Sequence, residues 1–310
     1  MINVGIIGAT GYVGIEIVRL LLAHPEVSIT SVVSQSFVGE KISGIYPSLA
    51  NVFDMECEAL DIDKVAGKAD ILITALPHGI SKDVIPRLID RGKRVIDHSG
   101  DFRYKSARVY EKWYKIRHEM PELLKMAVYG LPELYREKIG KAQLVANPGC
   151  YPTCSILGIA PLLKNGLVEK DNIIIDAASG VTGAGRKTDL AYQFCECDES
   201  LKAYAVSTHR HTSEIEQELS SLAGEEIILS FTPHLAPMKR GMLATIYANL
   251  TSGRTTGELI ELYREYYKNE YFVRVMDEGR LPETRFVAGS NFIDIGLVVD
   301  ERLNRVVVLS

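Results

Sequence analysis

A seven-residue turn constrains this chain more than any other stretch of it. Gly8-Ala9-Thr10-Gly11-Tyr12-Val13-Gly14 follows the apolar run at 4–7 and opens a stretch, 13–23, with apolar residues at helical spacing. Glycines spaced G-x-x-G-x-x-G between a strand and a helix let the backbone turn sharply and approach an anion. The N–H groups and positive end of the helix then stabilise a pyrophosphate. The pattern is a variant of the Rossmann fingerprint, so Gly8, Thr10, Gly11, Tyr12, Val13 and Gly14 are read as dinucleotide-binding. Such a turn belongs in an alternation of strands and helices, and the first half supplies one. Strand-like runs at 27–33, 70–76 and 94–97 alternate with helical patterns such as 84–91, which ends at Gly92. The expectation is α/β: a Rossmann-like, parallel, doubly wound sheet.

The end of the second strand speaks to which dinucleotide. An NAD reader places an acid there for the ribose hydroxyls. Here Ser34, Gln35 and Ser36 offer hydroxyls and an amide but no carboxylate. A 2′-phosphate is not repelled, so NADP is expected, with Lys41 as a possible further phosphate partner.

The second half has another rhythm. Strand candidates at 173–178, 227–232, 242–250, 291–299 and 305–309 surround long helical patterns at 213–222 and 256–269. Residues 300–304 read as a turn joining the last two strands as an antiparallel pair. This predicts an α+β domain with a mixed or antiparallel sheet. The boundary falls near Asn147-Pro148-Gly149, giving domains 1–147 and 148–310. A length of 310 residues suits about two domains. Lys+Arg 35 against Asp+Glu 40 gives a net charge of −5, which offers no general attraction for nucleic acid or anionic membrane. No apolar run approaches a membrane span, and the N-terminus lacks a basic leader. The five cysteines, odd in number and sparse, suggest reduced thiols and a cytoplasmic location.

One cysteine has a reactive setting. Asn147-Pro148-Gly149-Cys150-Tyr151-Pro152-Thr153-Cys154 precedes an apolar helical run, and Pro152 suits a first helical turn. Cys150 then sits at a helix N-terminus, where the dipole favours thiolate. Cys154, four residues on, reads as a packed core thiol. Cys195-Glu196-Cys197 has no second pair at metal-like spacing, and no metal is expected. A proton carrier for the thiolate is offered by His209 and His211 in Thr208-His209-Arg210-His211-Thr212-Ser213. Thr212 or Ser213 could cap the next helix, with Glu216 closing a capping box. Three further loops could bind an anion: 97–103, 179–187 with its glycines and Arg186-Lys187, and 233–241 with Lys239-Arg240.

Taken together these blocks resemble the N-acetyl-gamma-glutamyl-phosphate reductases of arginine biosynthesis, a family of the aspartate-semialdehyde dehydrogenase superfamily. The resemblance rests on GATGYVG at 8–14, ALPHG at 75–79, DHSGDFR at 97–103, VYGLPE at 128–133 and ANPGCYPT at 146–153. SGVTGAGRK at 179–187, HRHTSEIEQ at 209–217 and PHLAPMKRGM at 233–242 extend it along the whole chain. It implies an NADP-binding domain followed by a catalytic domain that also builds a homo-oligomer, dimer or tetramer. It implies Cys150 as nucleophile and His211, directly before Thr212, as general acid/base, with His209 in reserve. Pro77 and His78 would lie against the cofactor, and Ser179 and Gly180 near its nicotinamide. Arg103, Arg186, Lys187, His209 and Arg240 are the substrate-anion candidates. Relatives continue past the last strand into a helix returning to the cofactor domain, whereas the sequence here ends at Ser310. The implied reaction is NADPH-dependent reduction of a small acyl phosphate through a cysteine thioester. Two alternatives stand beside it: a carrier-protein-linked aminoadipyl or glutamyl phosphate as substrate, or a non-catalytic NADP-binding regulator.

Overall fold

The computed structural model describes residues 1–186 and 188–310, so the predicted anion ligand Lys187 lies outside the described residues. The chain divides into two compact units, Met1–Pro148 and Gly149–Ser310.

The first unit is built on a six-stranded parallel sheet: β1 (Ile2–Ile7), β2 (Val27–Val33), β3 (Ile71–Thr74), β4 (Arg94–Asp97), β5 (Val128–Tyr129) and β6 (Leu144–Ala146). Their spatial order is β2-β1-β3-β4-β6-β5. Neighbouring residues in a strand point to opposite faces, and both faces are covered. Val4, Ile6 and Ile73 join one apolar cluster with the helix residues Ile17 and Val18, while Ile7 and Leu72 join another with Val84, Ile85 and Leu88. The chain leaves β1 toward β2 on one side and returns to β3 on the other. That reversal is a topological switch point, and the glycine turn follows the carboxyl end of β1 there. Between β2 and the helix Ile62–Lys68 the chain makes an excursion. It contains the short helix Ile42–Ile45 and the 3-10 turn Pro47–Leu49. A bridge between Lys41 and Glu56 and the Gly39 N–H on Cys57 O fasten its two ends.

The second unit carries a seven-stranded sheet: β7 (Ile174–Ser179), β8 (Lys202–Ala203), β9 (Ser230–Leu235), β10 (Met242–Asn249), β11 (Val273–Val275), β12 (Ile293–Asp300) and β13 (Arg305–Leu309). The order is β11-β12-β13-β10-β7-β9-β8. It is mixed: β7 and β9 run parallel, β10 runs antiparallel to β7 and β13, and β12 pairs antiparallel with β13 across the 300–304 turn. The strand read at 227–232 lies three residues later. Pro233 argues against a strand in sequence, but its carbonyl accepts the Tyr204 N–H just beyond the two-residue edge strand β8. The N–H that proline lacks falls at this edge, where the β8 pairing covers only Leu235 and His234.

The helix Cys150–Lys164 is almost wholly buried from Tyr151 to Leu163. Pro161 sits inside it and cannot donate to the carbonyl of Leu157. The hydroxyl of Tyr267 does so at 2.6 Å, and Tyr263 donates to Gly158 O at 2.6 Å. A helix that would kink in isolation is thereby held against its neighbour.

Candidate functional site

In the first unit, the turn after β1 is pinned on several sides. The N–H groups of Gly8 and Ala9 both donate to Val33 O at 3.0 Å. Gly8 has φ +93°, and a Cβ there would lie 2.4 Å from Ala75 O. A Cβ on Gly14 would lie 2.2 Å from Gly8 O. Only glycine allows this crossing of turn and helix. The helix Tyr12–Leu22 starts directly after Gly11, and its first-turn N–H groups have no acceptor within the helix. The arrangement fits the anionic centre of a dinucleotide.

Ser34 and Thr10 are not open donors. Both are buried, and their hydroxyls share a 2.8 Å hydrogen bond. Gln35 and Ser36 are exposed. Lys41 pairs with Asp54 at 3.3 Å.

The DHSGDFR loop serves as internal scaffold. Asp97, fully buried, accepts from Thr74 and Ser81 hydroxyls at 2.7 and 2.9 Å, and from the Ser99 hydroxyl at 2.5 Å. Asp101 accepts the Gly79 N–H at 2.8 and 2.9 Å, the Lys82 N–H at 3.3 Å, and the Tyr110 hydroxyl at 2.8 Å. Burial pushes the Asp101 carboxyl up against those bonds. His78 accepts the Gly100 N–H on Nδ1 at 2.8 Å, so a neutral ring carries its proton on Nε2. Pro77 beside it is exposed. The substrate candidate Arg103 is 6% exposed and donates to Asn147 O at 2.7 Å and His98 O at 2.9 Å.

The second unit brings the nucleophile and imidazole candidates together. Cys150 is exposed and is the first residue of its helix, with Gly149 as the N-cap. A Cβ on Gly149 would lie 2.5 Å from His211 Nε2, so the imidazole edge stands over the residue next to Cys150. Glu214, fully buried, accepts the Gly149 N–H at 2.8 Å. His209 accepts the His211 N–H on Nδ1 at 3.1 Å, and the two rings meet edge to face at 4.7 Å. Burial, aided by Arg210, pushes His209 down to about 4, which leaves it neutral near pH 7. Tyr151 is buried. Its phenol is pushed far up by desolvation and by Tyr204, so it remains a donor, here to His234 O at 3.2 Å.

The predicted capping box does not form. The helix His211–Ala223 begins before Thr212, its N-cap Arg210 has helical φ/ψ, and no side chain caps it. Ser213 donates back to Arg210 O at 3.0 Å, and Glu216 accepts from the Leu229 N–H at 3.3 Å. The acid that matters in the first turn is Glu214.

Segments 179–186 and 233–241 meet, but not as expected. The N–H groups of Gly180, Val181 and Thr182 donate to Gly241, Met238 and Lys239 carbonyls at 3.0, 2.9 and 3.1 Å. They knit the loops together and are not offered to an anion. Ser179 is buried, its hydroxyl on Gly180 O at 3.1 Å. Arg186 and Arg240 are exposed. Among the described residues no group of His, Cys, Asp and Glu could hold a metal ion, and no helix is long and apolar enough to cross a membrane.

Both units match known domains. Residues 3–142 match the semialdehyde dehydrogenase NAD-binding domain, and 150–310 match the semialdehyde dehydrogenase dimerisation domain. The chain belongs to the semialdehyde dehydrogenase family of oxidoreductases. Within that family, it is 74% identical over its full length to the N-acetyl-gamma-glutamyl-phosphate reductase of Acetivibrio thermocellus, covering 90% of that protein. It is 53% identical to the protein of that name in Caldicellulosiruptor saccharolyticus, with the same coverage. The fold is shared with aspartate semialdehyde dehydrogenase II of Vibrio cholerae, at TM-score 0.74 and 14% identity over 100% of this chain and 92% of that one. The Candida albicans aspartate semialdehyde dehydrogenase, solved with NADP, gives 0.74 and 16% over 100% and 93%.

Proposed function

We propose that the protein reduces N-acetyl-gamma-glutamyl phosphate to N-acetylglutamate semialdehyde and phosphate with NADPH, in arginine biosynthesis. The substrate follows the names of its full-length relatives. The observation that carries the chemistry is the His211 imidazole standing over Gly149, beside the exposed helix-start Cys150. Cys150 thiolate attacks the acyl carbon, the carbon–oxygen bond to phosphate breaks, and a thioester remains on the enzyme. When bound, the reduced nicotinamide supplies the hydride that takes this acyl carbon to the aldehyde level. Collapse of the resulting thiohemiacetal breaks the carbon–sulfur bond and returns the thiolate. His211 protonates the oxyanion and later removes that proton as the carbonyl re-forms. N–H groups of the first turn at Cys150 stabilise the oxyanion.

His209, neutral and donating from Nε2, is suited to orienting substrate. Arg186, Lys187 and Arg240 are the cations proposed for the phosphate and carboxylates, whereas the buried Arg103 is committed to the backbone carbonyls of Asn147 and His98. Gly8, Gly11, Tyr12, Val13 and Gly14 are proposed to hold the dinucleotide with Gln35, Ser36, Pro77 and His78, while the buried Thr10 and Ser34 hydroxyls brace the turn through their mutual bond. Ser179 and Gly180, bonded within their own unit, are set aside as cofactor ligands. A cytoplasmic homo-oligomer is proposed, the second unit being of a type described as a dimerisation domain.

The test is NADPH oxidation and phosphate release with free N-acetyl-gamma-glutamyl phosphate. One phosphate per NADPH is expected. Turnover only with a carrier-protein-linked acyl phosphate would replace the substrate assignment, and turnover with neither would support a regulator instead.

A further inference from the structure

The excursion between β2 and the helix Ile62–Lys68 reaches the glycine turn through one side chain. Tyr46 donates its hydroxyl to Thr10 O at 2.8 Å, across 36 residues of sequence. Its ring is half-buried in the same apolar cluster as Ala9, Val32, Ile42 and Leu49. The peptide linking Thr10 to Gly11 is thus gripped at both ends. Its carbonyl takes Tyr46, and its N–H donates to Gly8 O at 3.3 Å. The Thr10 side chain is tied separately to Ser34, whose own N–H donates to Glu58 O where the excursion rejoins β2.

We propose that Tyr46 is a positioning residue for the dinucleotide: it fixes the plane of the 10–11 peptide and so aims the first-turn N–H groups of the helix Tyr12–Leu22. This rests on the reading of that turn as the cofactor site. Three features support it. The bond is made to a turn carbonyl, in a segment where small rotations redirect every following N–H. A carbonyl that accepts a bond polarises its own peptide and strengthens the N–H on the other side. Holding the turn before the ligand arrives also removes an ordering cost from binding. The same geometry gives the Ser34 hydroxyl to Thr10, leaving Gln35 and Ser36 as the exposed groups at the end of β2.

The experiment is titration of the full chain with NADP⁺, NAD⁺ and 2′-AMP, followed by calorimetry or intrinsic fluorescence. Tyr46→Phe keeps the ring and removes one hydrogen bond. It should weaken NADP⁺ about 3- to 10-fold, the effect of one net hydrogen bond. The 2′-AMP affinity should stay within about twofold, because that ligand lacks the pyrophosphate. In turnover, KM for NADPH should move more than kcat. Phe53→Leu is the control: it loosens the excursion in the same cluster without touching Thr10. NADP⁺ binding by Tyr46→Phe within twofold of wild type would overturn the proposal. So would equal weakening of both ligands, reproduced by Phe53→Leu at matched stability. A wild-type protein that binds neither NADP⁺ nor NAD⁺ would instead overturn the reading of the turn itself.

Discussion

Cys150 and Cys154 lie one turn apart on the same helix and are chemically unlike. Cys150 is exposed at the helix start, while burial pushes Cys154 up to about 12 and its Sγ donates to Tyr151 O at 3.3 Å. Cys150→Ser is therefore expected to abolish NADPH turnover and leave the NADP⁺ dissociation constant within about twofold, since serine is a poor nucleophile without its own base. An acyl-enzyme trapped on any other residue would refute the assignment. His211→Asn should lower kcat about 100- to 10,000-fold, the range for a lost general acid/base. His209→Asn should act mainly on KM, because a ring held near 4 is not a proton donor at neutral pH. A larger kcat loss at 209 would exchange the roles. At the cofactor end, Gln35→Asp should shift catalytic efficiency from NADPH toward NADH. Ser34→Asp, equivalent on sequence grounds, should chiefly lower the melting temperature, since it puts a charge where a buried hydroxyl met Thr10. If Ser34→Asp switched the preference cleanly at unchanged stability, the Thr10 bond would not be the hydroxyl's main role.

The elements that carry the nucleophile depend on contacts far apart in sequence. Glu214 reaches Gly149 across 65 residues, and the missing Cβ at 149 leaves room for the His211 ring. Gly149→Ala should push the imidazole away from the helix start. Its expected signature is a kcat loss of at least about tenfold with NADP⁺ affinity retained, and an unaffected kcat would show that the ring accommodates the methyl. Much of the fold around them is legible in the sequence because its cause is local. The glycine turn, the strands at 27–33, 94–97 and 305–309, the antiparallel final pair, and Cys150 at a helix start all follow from neighbouring residues. What escaped depends on distant partners. Nothing beside Ser34 announces Thr10, and nothing beside Asp97 announces the hydroxyls of Thr74 and Ser81. The S/T-x-x-E spacing suggested a capping box after His211. The helix begins too early for one, and its second glutamate goes to Leu229. The glycines at 180–185 suggested open N–H groups, but the neighbouring loop consumes those of the first.

Across the whole molecule, acid should be destabilising for a stated reason. Burial lowers His98 and His209 to about 4 and also lowers His118, so the folded chain resists protonation that the unfolded chain accepts near 6.5. Between those values the unfolded state binds more protons, and stability falls as pH falls, by up to about 3 kcal/mol for a fully expressed shift of this size. Asp101 acts in the opposite sense, since its raised carboxyl takes a proton earlier when folded. The melting temperature should drop from pH 7 to pH 5, and less steeply in His209→Gln. A flat profile would mean the rings are solvated. The placement of the buried thiols has one more consequence. Cys57 is fully buried in the first unit, its thiol raised mainly by burial, and Cys154 is buried in the second. With Cys150, Cys195 and Cys197 replaced by alanine, each unit retains one sequestered sulfhydryl. The rate at which an alkylating reagent reaches each one then becomes a clock for the opening of its own unit. Whether the two halves breathe together or separately can be timed in that folded variant, without denaturant.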